Sequence, residues 1–309
     1  MRTRFNLENG KLVPTDEPGL VDVYASPTEM EIADLVGKLN IDRHNIDSAL
    51  DPDENGRLEF EPDHLVLIIK RPRNYSSKDD FFFRVTSVGV FLFADRMVVV
   101  MRDEMAIFDG KSSFPLRTLH DVLIRLIYST ISHFIGHLKV INMISEELED
   151  KINKSLENKY LLNMFTLEKS LVYFLNATTF NAMVFEKLKN SAPKIGFTKE
   201  NIEFLDDIII ENAQCHTLTQ TYSNILSGLM NARASLISNN LNVMMKNLNA
   251  LVLAVAIPTF FTGLGGMSEF SAIIGIGNWP LAYALFVLVM LLVGIIIYYL
   301  IKYLERFWR

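Results

Sequence analysis

The stretch NLNALVLAVAIPTFFTGLGGMS, residues 247–268, decides the fold of this chain. It contains no Asp, Glu, Lys or Arg, and neither does the stretch from Phe270 to Ile301, from which only Glu269 separates it. About 20 apolar residues are enough to cross the hydrocarbon core of a bilayer, so each stretch is long enough to span. The pair predicts a transmembrane hairpin in a lipid bilayer. A buried hairpin of a soluble protein is disfavoured, because soluble helices of this length carry a charged face.

Basic residues flank both ends of this hairpin, whereas its turn has none. Arg233 and Lys246 precede the first stretch, and Lys302, Arg306 and Arg309 follow the second. Segments rich in Lys and Arg stay on the cytoplasmic side of a membrane, so both termini are predicted to be cytoplasmic. The N-terminal sequence lacks the apolar core of a secretory signal, which agrees with this orientation. The predicted location is the cytoplasmic membrane.

Composition excludes several classes of function. The net charge is −6 and no Lys/Arg cluster is present, which argues against a nucleic-acid partner. Cys215 is the only cysteine, so neither an internal disulfide nor a cysteine-rich metal site can form. The sequence has no phosphate-binding loop, nucleophile elbow or dinucleotide fingerprint, and we therefore predict no enzymatic activity.

The pattern of residues 1–115 predicts a small α/β domain with a largely antiparallel sheet. Ser26-Pro27-Thr28 followed by Glu29-Met30-Glu31 has the pattern of a helix start that leads into Ile32, Leu35 and Leu39. Runs rich in Val, Ile and Phe predict the strands, with turn residues between them. The predicted strands are Val21–Ala25, Arg57–Phe60, His64–Lys70, Phe81–Phe93 and Met97–Arg102.

The sequence predicts a helical bundle and a stalk helix in residues 116–246. It predicts the membrane hairpin and a short tail in residues 247–309. Apolar residues between Leu119 and Glu186 recur at threes and fours, which predicts two long helices joined near Glu157 and Asn158. Thr198 is the predicted N-cap of the next helix. From there the helical period continues without proline as far as Pro258, so the stalk runs directly into the first span.

An uncharged stripe of mostly small residues follows one face of this helix. A polar stripe that enters a membrane must face water or other polar groups. One hairpin cannot enclose water, so several copies would have to place the stripe around a shared axis. The stripe predicts either a pore in a homo-oligomer or polar contacts within a non-conducting bundle. Its members are Asn231, Ser235, Ser238, Asn242, Met245, Asn249, Val252 and Ala256.

A pair of histidines, His133 and His137, lies one turn apart on the first long predicted helix. The two could share a metal ion, but position 134 is Phe134 rather than the Glu of a His-Glu-x-x-His arrangement. A packed or surface pair is the favoured interpretation.

The segments SNNLNVMMK (residues 238–246), Ile257-Pro258 and Gly265-Gly266-Met267-Ser268 resemble the CorA family of divalent-cation transport proteins. The resemblance extends over nearly the whole chain. It implies an α+β cytoplasmic domain, a long stalk helix and two C-terminal transmembrane helices, assembled as a funnel-shaped homopentameric channel. It also implies a pore lined by the first membrane helix, with Met245 and Leu248 as a hydrophobic constriction that can gate by dewetting.

The outer mouth departs from the family pattern. Gly266 and Met267 match the family's Gly-Met-Asn signature, but Ser268 stands where the family has Asn, and Glu269 is the only acid that follows. Mg²⁺ gives up its water shell reluctantly, so a filter would contact that shell through neutral oxygens and attract it through nearby acids. These four residues are the expected selectivity filter.

The resemblance also implies a regulatory Mg²⁺ site between subunits. Asp207 matches the stalk acid of that site, and Asp206 and Glu211 lie close to it in sequence. Asp79 and Asp80 are the expected donors of a second ligand. A solvated helix face is the alternative interpretation of the stalk acids.

The function expected from these features is a divalent-cation channel, with Mg²⁺ as the first choice for the transported and regulatory ion. A transporter of Zn²⁺, Co²⁺ or Ni²⁺ is one alternative. A non-conducting membrane scaffold or sensor with the same fold is the other.

Overall fold

The computed structural model describes residues 2–76, 79–105, 107–108, 115–154, 158–265 and 279–307. The chain forms two compact units, Met1–Met230 and Asn231–Arg309. The first unit contains a mixed sheet and the long helices that pack on it. The second contains the membrane hairpin.

A seven-stranded sheet with the order β2-β1-β3-β7-β6-β5-β4 forms the centre of the first unit. All neighbours are antiparallel except β3 and β7, which confirms the prediction of a largely antiparallel sheet. The strands are β1 Arg2–Glu8, β2 Lys11–Thr15, β3 Val21–Ala25, β4 Arg57–Phe60, β5 His64–Pro72, β6 Val85–Phe93 and β7 Met97–Met101.

The structure differs from the strand predictions at the start of Phe81–Phe93 and at the N-terminal edge of the sheet. The predicted strand Phe81–Phe93 was wrong at its start, because Phe81 has a φ of 66°, in the left-handed region that a strand cannot use. The strand begins at Val85 instead. The strands β1 and β2 were not predicted, since their residues are mostly polar and half-buried or exposed. Pro14 lies in β2 at the edge of the sheet, where a missing N–H is tolerated.

Helices cover both faces of this sheet. On β5, Leu65, Leu67 and Ile69 belong to one core cluster, while Val66 and Ile68 belong to a second. A strand buried on both faces has an unbroken apolar sequence, as here. The helices are α1 Glu29–Leu39, α2 Arg43–Leu50, α3 Leu119–Lys154, α4 Asn158–Asn190, α5 Ala192–Ile195, α6 Lys199–Gly265 and α7 Trp279–Phe307.

Helices α1 and α2 pack on the second of these clusters. Helix α1 begins where the sequence predicted a helix start, and Thr28 and Glu31 form a capping box there. Helix α2 was not predicted. It lies so close to β6 that a Cβ added at Gly89 would be 2.4 Å from the Cβ of Ala49, so this contact requires glycine.

Paired caps fix the starts of α3 and α6. The hydroxyl of Thr118 accepts from the backbone N–H of Asp121, and the Asp121 carboxylate accepts from the backbone N–H of Thr118. Thr198 and Asn201 make the same reciprocal bonds at α6, which confirms Thr198 as its N-cap. The Asn201 amide also donates to Asp121 Oδ1 at 2.7 Å, so the two helix starts are linked.

Among the residues that the structure describes, two helices are long and apolar enough to cross a membrane. One lies within α6, which continues unbroken for 67 residues, as the uninterrupted helical period predicted. The other is Tyr283–Leu304 within α7. Most large apolar side chains of this second segment are exposed, which is typical of a helix in contact with lipid.

Candidate functional site: the membrane hairpin and the acids of the long helix

One face of α6 packs on α7 within the membrane hairpin. Ala250 and Ala254 on this face are 3% and 7% exposed. A Cβ added at Gly294 of α7 would be 3.0 Å from the carbonyl oxygen of Ala254 and 3.4 Å from Cγ of Pro258. Small residues on both helices therefore allow their backbones to approach closely.

The uncharged stripe lies on the opposite side of α6. At 3.6 residues per turn, Met245, Asn249, Val252 and Ala256 point about 140–180° away from Ala254. All four are exposed, as is Leu248. The remaining stripe residues are also exposed: Asn231, Ser235, Ser238 and Asn242. The structure thus brings the predicted residues together on one face, which α7 leaves open.

A groove of about 960 Å³ runs beside the contact between α6 and α7. Its lining is largely apolar and includes Leu251, Val255, Leu291 and Ile295. Such a surface offers a hydrated cation few oxygen ligands, so the groove is unsuited to ion passage. The stripe, by contrast, carries exposed Asn and Ser side chains between Asn231 and Asn249. The expected filter residues Gly266, Met267, Ser268 and Glu269 lie outside the described residues.

The stalk acids lie within the part of α6 that belongs to the first unit. Asp207 is exposed, and Glu211 lies one helical turn further on and is half-buried. Burial, and then the nearby charge of Asp207, raise the pKa of Glu211. Two carboxylates that repel each other in this way are suitable oxygen ligands for a hard cation. Asp206 differs from them, because its carboxylate is paired with Lys189 Nζ at 2.8 Å.

Asp79 and Asp80 were expected to complete the site, and Asp79 has a local role instead. Asp79 accepts hydrogen bonds from the hydroxyl and the N–H of Ser76 at 2.8 and 2.7 Å, and these bonds lower its pKa. Asp80 follows it with a φ of 45°. Over the residues that the structure describes, no three His, Cys, Asp or Glu side chains are placed to hold one metal ion. A metal site at Asp207 therefore needs ligands from outside this set.

Polar contacts between α4 and α6 were missed by the sequence analysis. The Ser227 hydroxyl donates to the Glu168 carboxylate, and the Asn212 amide donates to the carbonyl of Thr178 at 3.0 Å. Together with the ion pair of Asp206, they link the two helices at three levels. Glu168 gave the one sequence signal, because it interrupts an otherwise apolar stripe.

The histidine pair is packed in the interior of the first unit. The rings of His133 and His137 are 4.4 Å apart, and Phe83 and Phe174 pack against His137. This confirms the interpretation as a packed pair. Burial lowers the pKa of His133 to about 3 and that of His137 to about 4, with smaller contributions from the positive charge of Arg71. Both rings are therefore neutral at neutral pH.

This pair makes stability depend on pH. The unfolded chain binds protons at His133 and His137 near pH 6.5, whereas the folded chain does so only near their lowered pKa values, so acid favours unfolding. We expect the free energy of unfolding to fall by about 2–4 kcal/mol between about pH 6.5 and 4.5. Urea unfolding across this range measures it. His133→Gln with His137→Gln should flatten the dependence, and His44→Gln, at an exposed position, should leave it unchanged. An unaltered slope in the double variant would contradict the assignment.

These features define a class: membrane proteins in which a mixed-sheet domain and long helices precede two C-terminal spans. The sequence matches the family described as CorA-like Mg²⁺ transporter protein over residues 21–303, and the chain belongs to this family. The family consists of transport proteins rather than enzymes.

Individual relatives agree with this membership. The chain is 26% identical over 291 residues to the cobalt/magnesium transport protein CorA of Methanocaldococcus jannaschii, covering 91% of this chain and 89% of that protein. The complete structure of the M. jannaschii CorA magnesium transporter superposes with a TM-score of 0.77 at 21% identity, over 97% and 96% of the two chains. The full-length CmaX protein superposes with a TM-score of 0.71 at 14% identity, over 99% and 97%. The two structural matches support the fold.

Proposed function

We propose that this protein is a homopentameric channel for divalent cations in the cytoplasmic membrane, with both termini in the cytosol. Residues 1–115 form its N-terminal α/β cytoplasmic domain, residues 116–246 its helical bundle and stalk, and residues 247–309 its membrane hairpin with a short cytoplasmic tail. The single observation that carries the proposal is the position of the uncharged stripe. It lies opposite the face of α6 that packs on α7, so a ring of hairpins with α7 outside directs the stripe to the axis.

The proposed ion path runs from Ser268 to Asn231. Five copies of Glu269 attract the cation, and five hydroxyls of Ser268 contact its water shell. Met245 and Leu248 then form the hydrophobic constriction, where dewetting closes the path. Mg²⁺ is the proposed ion because the chain belongs to a Mg²⁺ transporter family. The serine in place of asparagine is the specific reason to consider Co²⁺, Zn²⁺ or Ni²⁺ as the second choice.

Ion uptake into proteoliposomes tests this function. We expect the unmodified protein to admit Mg²⁺, with Co²⁺, Zn²⁺ and Ni²⁺ measured in parallel. Ser268→Asn should raise the rate of Mg²⁺ uptake several-fold, because an amide reaches further toward the hydrated ion than a hydroxyl does. Absence of flux for all four ions in both proteins, despite intact pentamers, would contradict the proposal and favour a non-conducting scaffold.

We further propose that Mg²⁺ bound at Asp207 and Glu211 holds the channel closed. The repulsion between the two acids and the exposure of Asp207 support this role, and a neighbouring subunit would complete the ligand set. Asp206 contributes less, because Lys189 already neutralises it. The positive charge of the bound ion relieves the repulsion between the two acids, which favours the conformation that binds it.

Asp207→Ala is expected to weaken inhibition by Mg²⁺ on the stalk side about tenfold or more, because a carboxylate ligand of a hard cation is lost. Current or uptake at increasing Mg²⁺ on that side measures the effect. Asp150→Ala removes an equal charge from an exposed position on α3 and should leave the inhibition unchanged. The same inhibition in the Asp207 variant as in the unmodified protein would exclude this regulatory site.

A further inference from the structure

A second cavity lies within the first unit. Its volume is about 470 Å³, which is within the usual range of small-molecule sites. Four segments form its walls: the turn after α2, Lys70 of β5, the residues that lead into β6, and one face of α4. Nothing in the proposed ion path uses this cavity.

A buried ammonium group lies in the wall of the cavity. Lys70 is 5% exposed, and its Nζ donates to the carbonyl of Pro52 at 2.7 Å and to the hydroxyl of Ser87 at 3.1 Å. An ammonium group has three donors, so one remains for a ligand. Among the described residues Lys70 forms no ion pair, and burial lowers its pKa. An anion in the cavity would therefore stabilise a cation that is costly to bury.

Two further cations lie close to Phe82, which lines the same cavity. The guanidinium of Arg84 and the ammonium of Lys169 both lie 5.3 Å from the ring centre of Phe82, and neither has an ion-pair partner in the part of the chain that the structure describes. Arg84 lines the cavity, and Asp53 is the one acid in its lining.

Neighbouring acids reduce this positive charge only in part. Asp51 and Glu54 lie near Lys70, but the Glu54 carboxylate is paired with Arg57 at 2.7 Å. The Asp51 carboxylate accepts from the N–H of Asp53 at 2.9 Å. Asp79, on the side of Arg84, is held by Ser76. Asp51 keeps its charge but is not part of the lining, so among the described lining residues Lys70 and Arg84 against Asp53 leave one net positive charge.

Aromatic rings complete the cavity. Phe82 and Tyr173 meet edge to face with their centres 5.8 Å apart, and Phe180 lies in the same lining. Flat rings of this kind stack with planar heterocycles. We propose that the cavity binds a mononucleotide, with its phosphate against Lys70 and Arg84 and its base against Tyr173. This site is separate from the proposed ion path and does not depend on it.

Binding of adenosine monophosphate to the detergent-solubilised full chain tests the proposal. We expect calorimetric binding of this nucleotide in the unmodified protein, with inorganic phosphate and adenosine each at least about tenfold weaker, because each makes only half of the contacts. Arg84→Gln and Tyr173→Ala should each weaken nucleotide binding about tenfold. Lys139→Gln, which removes an exposed cation from α3, should not change it.

Three outcomes would overturn this site. The first is a lack of nucleotide binding by the unmodified protein. The second is equal binding of phosphate and nucleotide, which would indicate an adventitious ion only. The third is full affinity in both the Arg84 and the Tyr173 variants, which would locate the nucleotide elsewhere. Both positions are outside the closely packed core, so the variants should fold. Thermal unfolding at the same temperature as the unmodified protein would verify this.

Discussion

Replacing Asn242 by Lys is expected to reduce divalent-cation uptake more than about tenfold. An increase of only about 1.4 kcal/mol in the energy barrier to ion passage is enough for a tenfold loss. Asn242 lies on the uncharged stripe of α6, one turn before the proposed constriction at Met245. In a pentamer the substitution would place five ammonium groups around the axis. Like charges in a narrow path of low dielectric repel a divalent cation strongly. Uptake into proteoliposomes measures the loss.

Asn240→Lys is the matched control for this variant. It makes the same change two residues earlier at another exposed position, about 160° around the helix from Asn242 and on the side of Ala254. We expect it to retain most of the uptake. Equal loss in both variants would mean that added charge or misfolding, rather than position on the stripe, causes the defect. Retained uptake in Asn242→Lys would exclude this residue from the ion path.

The arrangement of the stripe could be predicted because it depends on helical period alone. Residues three and four apart share a face of any straight helix, so Asn249, Val252 and Ala256 had to lie together. The N-cap Thr198 was equally predictable, because it acts on a backbone group of its own segment. In both cases the partners lie within a few turns of the chain.

Contacts between distant segments could not be predicted in this way. Asn181 of α4 donates to the carbonyl of Lys70 and accepts from its N–H, both at 2.8 Å, across 111 residues. The pairing of β4 with β5 ends where Arg57 lies opposite Ile68, so β4 does not extend to Lys70. The Asn181 amide makes the backbone hydrogen bonds at Lys70 that a longer β4 would make. A helical Asn has no sequence signature for this role. The ion pair between Asp206 and Lys189 is likewise visible only once α4 and α6 are placed.

Replacing Gly294 by Leu is expected to destabilise the membrane hairpin by about 1–3 kcal/mol or more, as overpacking does in a close contact. Pro258 has no N–H, so the carbonyl of Ala254 lacks its usual α-helical donor. In a membrane such a group must be satisfied within the protein. Glycine at position 294 lets the backbone of α7 reach this carbonyl, where a Cα–H group is a weak donor. A leucine side chain would separate the helices and leave the carbonyl in an apolar environment.

Thermal unfolding of the detergent-solubilised protein measures this effect, together with the fraction that remains assembled on size-exclusion chromatography. Ala284→Leu is the control, because it adds bulk at an exposed position of the same helix and should leave both values unchanged. Gly294→Ala should fall between the two, since its Cβ would lie 3.0 Å from the Ala254 carbonyl oxygen and force a shift of a few tenths of an ångström. Equal stability of the Gly294→Leu and Ala284→Leu variants would show that α6 and α7 do not depend on this close approach. Contacts between subunits, rather than the contact between α6 and α7, would then determine which way the stripe faces.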